Sequence, residues 1–591
     1  MLSVSSAFKS AISNASRSIK GAAIVHFLGQ QTFPFATATA SSQFDVTTPP
    51  SQACNGRFGA NNYTCSGALP SALSNQQKGW WGTQVSGSGG SITPEVLTVT
   101  YPTPIIGGNI VVIGMIGFYP VDFTIQRNGV TIATVVGNTN YKWSMSGAPV
   151  STSTLTLTVT KIAPASANIR ILQFGLVASV VFEGADLVDM VVLEEISSDV
   201  YHPVGLVSSN ECTMNLTNTD NRFTARNTHS PFYGMNLSGL VMQPFIGVVT
   251  SSNNCEFVPL GTFYSGDWTS PNDTTEVSTV GYDMIYNMLS IPVPEIPISI
   301  NTTILALFTQ LFTAMGLTST QYYIDPSLTT SVPYGFIPTG TFQNVAQALA
   351  TAGNCCVYMS RTNIMTVRPI INTSSPVASY TDAHISIIDN PQLNRSTYQA
   401  VNMSSFLPTI QDASVVAQIT GLAIPIGTTV FSNISFTGGP ILTVLQTILS
   451  KAVHSTLDNF TWSPWSITLT ITSTAAETID IYVYGNTISG TTAATTQNSS
   501  VAAGQTLSID SPLIQSTAIA TTQATALTAI VNNPLAMVTV TMVGDPSMEL
   551  LDVITLSSPT DQFLATHAVT LSNTLTYNGG LSEVTIARAN S

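Results

Sequence analysis

Apolar and polar positions alternate along most of the 591-residue chain. In STLTLTVT (153–160), Leu155, Leu157 and Val159 fall on one face and threonines on the other. That period of two marks a half-buried strand. SITPEVLTVTY, NIVVIGMIG, VDFTIQRNG and VTIATVV read as further short strands, rich in Val, Ile and Thr and split by Gly, Asn and Pro. IQRNGVTI sets Asn128-Gly129 between two of them, a strong hairpin signal. VDMVVLEEI, VMQPFIGVV, EFVPLGTFYSGDWTS and EVSTVGYDM continue the pattern. So do ASVVAQITGL, TIDIYVYGNTI, AMVTVTMVG and a last hairpin about Asn578-Gly579-Gly580.

Helical spacing breaks in near the middle. In GYDMIYNMLS (281–290), Tyr282, Ile285, Tyr286 and Leu289 recur at three and four residues and predict one apolar face. Asp283 falls in the first turn, where orphan amides and the helix field favour a carboxylate. TTILALFTQLFTAMG predicts a second helix, with Ile304, Leu307, Phe308, Leu311, Phe312 and Met315 as its stripe and Gly316 as its stop. TFQNVAQALATAG predicts a third, ended by Gly353. CVYMSRTNIMTVRPI then reads as a hairpin around Arg361-Thr362-Asn363. TTQATALTAIVNN is a helix, and PILTVLQTILSKAVH is a helix candidate weakened by its β-branched residues.

The fold class expected is mainly β and multidomain, with several β-barrel or sandwich domains and a small α+β domain. Residues 1–75 read as an arm and polar insertion, 76–178 as a β-rich domain and 179–280 as a second β domain. Residues 281–383 carry the α+β unit and 384–424 a β connection. Residues 425–500 read as an inserted β module and 501–591 as a C-terminal β domain.

Composition narrows the function. Hydrophobic residues make up 44% and charged ones only 8%, against roughly 25% charged in ordinary soluble domains. Sheet edges therefore lack their common lysine protection, and neighbouring subunits are the expected cover. Sixteen Lys and Arg against 30 Asp and Glu exclude a nucleic-acid groove, which needs clustered cations. The apolar stretch 104–121 is broken by Gly, Asn and Pro, so it reads as buried strands rather than a membrane span. The N-terminal segment lacks the long apolar core of a signal peptide.

Candidate chemistry is thin. Six cysteines include Cys54 and Cys65, which could form a local disulfide, and Cys212 and Cys255, which could pair across a domain. Cys355 and Cys356 read as two buried thiols on a strand. No CxxC occurs and the histidines are scattered, so no metal or other cofactor is expected. Glycoside hydrolysis needs two carboxylates in one cleft. Glu194 and Glu195, adjacent on a strand, point apart and cannot both join Asp199 in one cleft. Asp186 and Asp189 read as solvent-facing. Asp267 and Asp545 read as turn residues. No GxSxG, P-loop or HExxH is present, so no catalytic residue is assigned and the chain is read as no enzyme. In KGWWG, Trp80 and Trp81 point opposite ways if extended, one to a core and the other to an interface or a glycan.

Taken in order, KGWWG (78–82), LTVTY (97–101), YPVDFTI (119–125), VTKI with NIRILQFG (159–175) and the run 190–234 are followed by FVPLGTFYSGDW (257–268). That leads into VSTVGYDMIYNML, a strand pair like CVYMSRTNIMTV, and SNTLTYNGGLSEVTIAR (572–588). The series resembles the baseplate hub, or tail-tip, structural proteins of tailed bacteriophages, over roughly 75–400 and 540–591. The resemblance implies a virion protein of the tail tip: a homotrimeric ring that closes or extends the tail tube. Tail-tube and distal tail proteins, and fibre, spike or adhesin proteins, would be its partners in host attachment. DNA would pass through the lumen without specific binding. Tyr282, Asp283, Ile285, Tyr286 and Leu289 would then serve packing or assembly. The chain departs from the family pattern in its low charge, its 35–75 insertion and its 425–500 module. The competing reading is a β-rich carbohydrate-binding adhesin.

Overall fold

The alternating segments, dominated by Thr, Val and Ile, become strands, and the architecture is mainly β in several sheets. The computed structural model describes residues 1–14, 16–26, 37–44, 79–107, 110–115, 117–145, 150–176, 179–196, 205–224, 227, 232, 236–251, 254–270, 275–372, 374–389, 398–499, 504–531, 537–559 and 563–589. The Cys54–Cys65 pairing and most of the 35–75 insertion lie outside them, as does Asp199. Five α-helices are described: α1 (Ser6–Ile12), α2 (Met284–Met288), α3 (Ile304–Ala314), α4 (Phe342–Gly353) and α5 (Thr517–Val531). None is long and apolar enough to cross a membrane.

A β-sandwich takes up the first run of strands. One sheet orders Thr37–Ala40, Ser91–Gly107, Val150–Ile162, Pro120–Arg127 and Val130–Val135; the other orders Trp80–Val85, Asn168–Leu176, Ile110–Gly114 and Lys142–Met145. Leu155, Leu157 and Val159 are fully buried between them, beside Leu97, Val99 and Phe174. Their threonine neighbours sit on the other face, as the period requires. Arg127 pairs with Val130 across the Asn128-Gly129 turn, where both residues have positive φ (50° and 80°). That is the backbone an Asn-Gly hairpin turn needs. Strand Ile110–Gly114 is buried throughout, so the apolar stretch serves a packed sheet.

A fourteen-stranded sheet gathers strands from distant parts of the chain. Ile19–His26 runs antiparallel to both Ser179–Glu183 and Val241–Ser251. Leu187–Glu195 lies between Glu211–Thr217 and the C-terminal Phe563–Tyr577, with Met190 opposite Tyr577 and Val192 opposite Leu575. Gly21 is placed against the Tyr577 ring, where an added Cβ would come within 2.4 Å of it. Segments that read as an arm, a middle domain and a C-terminal domain thus share one sheet.

Helices α2 to α5 contribute to a second core. Ile304, Leu307, Phe308, Leu311 and Phe312 are all fully buried, the stripe read from their spacing. Thr303 caps α3, its Oγ1 accepting from the Ala306 amide at 3.3 Å, and Gly316 follows at φ 84°. α4 ends differently. Gly353 is its last residue, and the left-handed position is Asn354 at φ 50°. Gly353 is needed for closeness instead, since a Cβ there would lie 2.8 Å from Ile304 Cγ2 on α3. Strands Cys355–Met359 and Met365–Pro369 pair behind the helices.

PILTVLQTILSKAVH corrects the helix expectation: Ile441–Ser450 is a strand paired with the long Glu477–Asn498. Its β-branched residues and a neighbouring edge outweigh the helical spacing. With strands Ser414–Ile424, Gly427–Ser435, Ser455–Trp462 and Ser466–Ser473 it encloses a separate cluster around Ile467, Leu469, Ile471 and Ile481.

Candidate functional site

Strand Glu276–Tyr282 ends at Asp283, which starts α2. One carboxylate oxygen of Asp283 accepts from the Ile285 amide (2.9 Å) and the Tyr286 amide (3.3 Å); the other accepts from the Asn210 amide (2.7 Å). Asn210 Nδ2 in turn donates to the Met359 carbonyl at 2.9 Å. Asp283 thus joins the helix start to the loop before Glu211–Thr217, and through Asn210 to the 355–369 hairpin. Burial pushes its carboxyl up to about 7, against the pull of those amides.

Ile285 is fully buried and Met288 is 7% exposed, both in the helical core, with Leu289 packed at its margin. Tyr286 corrects the sequence reading of one apolar face. It is 49% exposed and stacks on Tyr282, rings 4.1 Å apart and nearly parallel. Tyr282 closes the strand rather than lying in the helix, so the helix is too short to carry the full stripe.

The carboxylates are individually tied into the structure. Glu194 forms a buried bidentate ion pair with Arg361, which also donates to the Pro546 carbonyl. That joins the strand Leu187–Glu195, the 355–369 hairpin turn and the 545–552 loop. Asp186, read as solvent-facing, is fully buried and pairs with Arg222 at 3.4 Å; a short helical turn between two strands carries it inward. Asp189 accepts from Asn215 Nδ2 at 2.8 Å. Glu583 accepts the Asp545 amide at 2.8 Å, and burial raises its carboxyl to about 8. Cys212 and Cys255 are free and buried, which corrects the disulfide expectation, and Cys355 and Cys356 are also free and buried. Among the described residues no group of His, Cys, Asp or Glu is arranged to hold a metal ion.

The paired tryptophans do separate. Trp80 is fully buried in the sandwich, its Nε1 donating to the Ser42 carbonyl at 2.8 Å. Trp81 turns to the opposite face and is half-buried. Its cross-strand partner is Arg170, whose guanidinium lies 3.9 Å from the Trp81 ring and 4.0 Å from the Phe118 ring. Phe44 approaches Trp81 from the other strand side, ring centroids 5.9 Å apart. Sequence reading found Trp81 but missed Arg170, Phe118 and Phe44. Arg170 lies 89 positions from Trp81, and only strand register unites them.

No family model matches the chain, and no curated protein matches it. Among solved structures, the tail protein from Neisseria meningitidis MC58 overlaps at 10% identity and TM-score 0.40, covering 69% of this chain and 93% of that one. The 43 kDa tail protein of prophage MuSo2 from Shewanella oneidensis overlaps at 10% identity and TM-score 0.39, covering 69% and 94%. A family 32 CBM from C. perfringens NanJ, solved in complex with galactose, overlaps at 15% identity and TM-score 0.19, covering 27% and 98%. At these identities and TM-scores the overlaps establish neither a shared family nor an activity.

Proposed function

We propose that this chain is a structural subunit of a phage tail tip or baseplate hub. Three copies would form a ring that closes or extends the tail tube and holds distal fibre, spike or receptor-binding proteins. The ordered motifs over roughly 75–400 and 540–591 motivate the reading.

The observation that carries it is the fourteen-stranded sheet with open edges. Among the described residues, strand Ile385–Asp389 ends the sheet and pairs on one side only, with Met537–Met542. Its sequence ISIID holds no Lys or Pro, and Ile387 is 54% exposed. At the other end Ser179–Glu183 (SVVFE) pairs, among the described residues, only with Ile19–His26. Edges without such protection are templates for another chain, and a closed ring covers them. Asp283, Glu194 and Glu583 fit a scaffold too, each sealed in packing and bonded to backbone or to arginine.

In this reading 179–280 and 501–591 supply the hub β domains and 281–383 the α+β hub domain, with 425–500 as a peripheral module. A lumen poor in Lys and Arg lets DNA pass without gripping it. The adhesin reading needs aromatic faces open to a sugar. Trp80, fully buried, has none.

The test is the particle mass by sedimentation across a concentration series. Three copies per particle supports the ring. Replacing Ile387 with Lys should lower the assembled fraction at least tenfold while leaving the thermal midpoint within a few degrees. Assembly untouched by that change would remove this edge from the interface.

A further inference from the structure

We propose that Phe44, Trp81, Arg170 and Phe118 form a binding site for a carboxylate-bearing saccharide. The backbone sets the four in a row. The Phe44 amide donates to the Trp81 carbonyl at 2.9 Å, Trp81 pairs with Arg170 across two strands, and the Arg170 amide donates to the Phe118 carbonyl at 3.3 Å. The Met115 amide returns a bond to the Arg170 carbonyl at 3.0 Å, so Met115 and Phe118 are both tied to the same residue. The row therefore follows from strand register and these backbone bonds.

The guanidinium is held but not neutralised. Its two faces lie on the Trp81 and Phe118 rings, an arrangement suited to the planar, weakly hydrated arginine cation. Nη1 donates only to the Met115 thioether sulfur at 3.3 Å, a weak acceptor. Nε is buried with no acceptor, while Nη2 makes no hydrogen bond and is not among the buried atoms. No carboxylate among the described residues forms an ion pair with Arg170. Burial lowers its pKa with no compensating acid. Two buried arginines, by contrast, have carboxylate partners: Arg361 has Glu194 and Arg222 has Asp186 and Asp220. A stacked guanidinium whose outer nitrogen stays open is pre-organised for a carboxylate.

The aromatic flank favours a sugar as the bearer of that carboxylate. Phe44 is 52% exposed beside the Trp81 ring, centroids 5.9 Å apart, and an exposed ring at the end of the row offers apolar contact to the C–H face of a pyranose. The site stands whether or not the chain forms a ring.

The test is calorimetric titration of the full chain with a glucuronic-acid disaccharide and with its neutral glucose counterpart. The acidic ligand should bind at least tenfold more tightly. Arg170→Gln should abolish the difference, and Arg170→Lys should lose most of it because an ammonium lacks the fork. Phe44→Ala, at an exposed position, should weaken binding several-fold with the melting point unchanged, and it decides the matter if the arginine variants do not fold. Equal binding of both sugars, no binding of either, or binding indifferent to both positions overturns the proposal. So does a change in particle mass with Arg170→Gln in place of a change in sugar binding, which would assign the guanidinium to a carboxylate of a neighbouring subunit.

Discussion

Arg361 and Glu194 show what a single pair does in this charge-poor chain. Both are 2% exposed, so removing one partner leaves the other charged and uncompensated. Arg361→Met should destabilise the protein by about 3–5 kcal/mol, read from the urea midpoint; a loss below about 1 kcal/mol would mean water reaches Glu194. Asp283 makes a different prediction, in pH. Its carboxyl sits near 7 in the folded chain and near 3.9 unfolded. Between those values the native state binds more protons, so this residue's contribution to stability falls as pH rises, until the cost is fully present above about 7. Asp283→Asn keeps an N-cap acceptor and removes the titration. The stability difference between variant and parent should therefore shift in the variant's favour from pH 5 to pH 8, and a constant difference would refute the raised pKa. Asp283 was legible because a cap is a local signal. The Arg361–Glu194 pair was not, since its members lie 167 positions apart and nothing local marks either one.

Elements followed the sequence where one force dominated. Clean alternation gave the sandwich strands, and α3 fell where its stripe placed it. The exceptions are physical. Ile441–Ser450 had helical spacing, yet β-branched side chains and the adjacent Glu477–Asn498 strand made it a strand. Within α2 the core side is set by Ile285 and Met288, with Tyr286 turned out. Ile285→Ala should thus cost about 2–4 kcal/mol in the isolated chain, while Tyr286→Ser should stay within about 0.5 kcal/mol. The ratio of the two losses, measured by chemical unfolding, checks the placement; comparable losses would put Tyr286 back into the core. A large effect of Tyr286→Ser on assembly alone would instead mark the Tyr282–Tyr286 stack as a subunit contact.

At the scale of the whole molecule the sequence reading cut the chain into consecutive domains, and the main sheet does not respect those cuts. Ile19–His26, Leu187–Glu195 and Phe563–Tyr577 meet in one sheet, because long-range pairing leaves no local trace in composition or spacing. The same limit hid the Trp81–Arg170–Phe118 cluster. What the sequence did carry was the scarcity of charge, and in the structure that scarcity becomes two sheet edges without lysine. Those edges make assembly the central claim. The most direct measurement is single-particle imaging of the purified full chain at the concentration where sedimentation mass reaches a plateau. The account predicts closed rings of three copies around an open centre, with Ile385–Asp389 or Ser179–Glu183 paired to a neighbouring subunit. Isolated single chains at the plateau, with both edge strands uncovered, would contradict it.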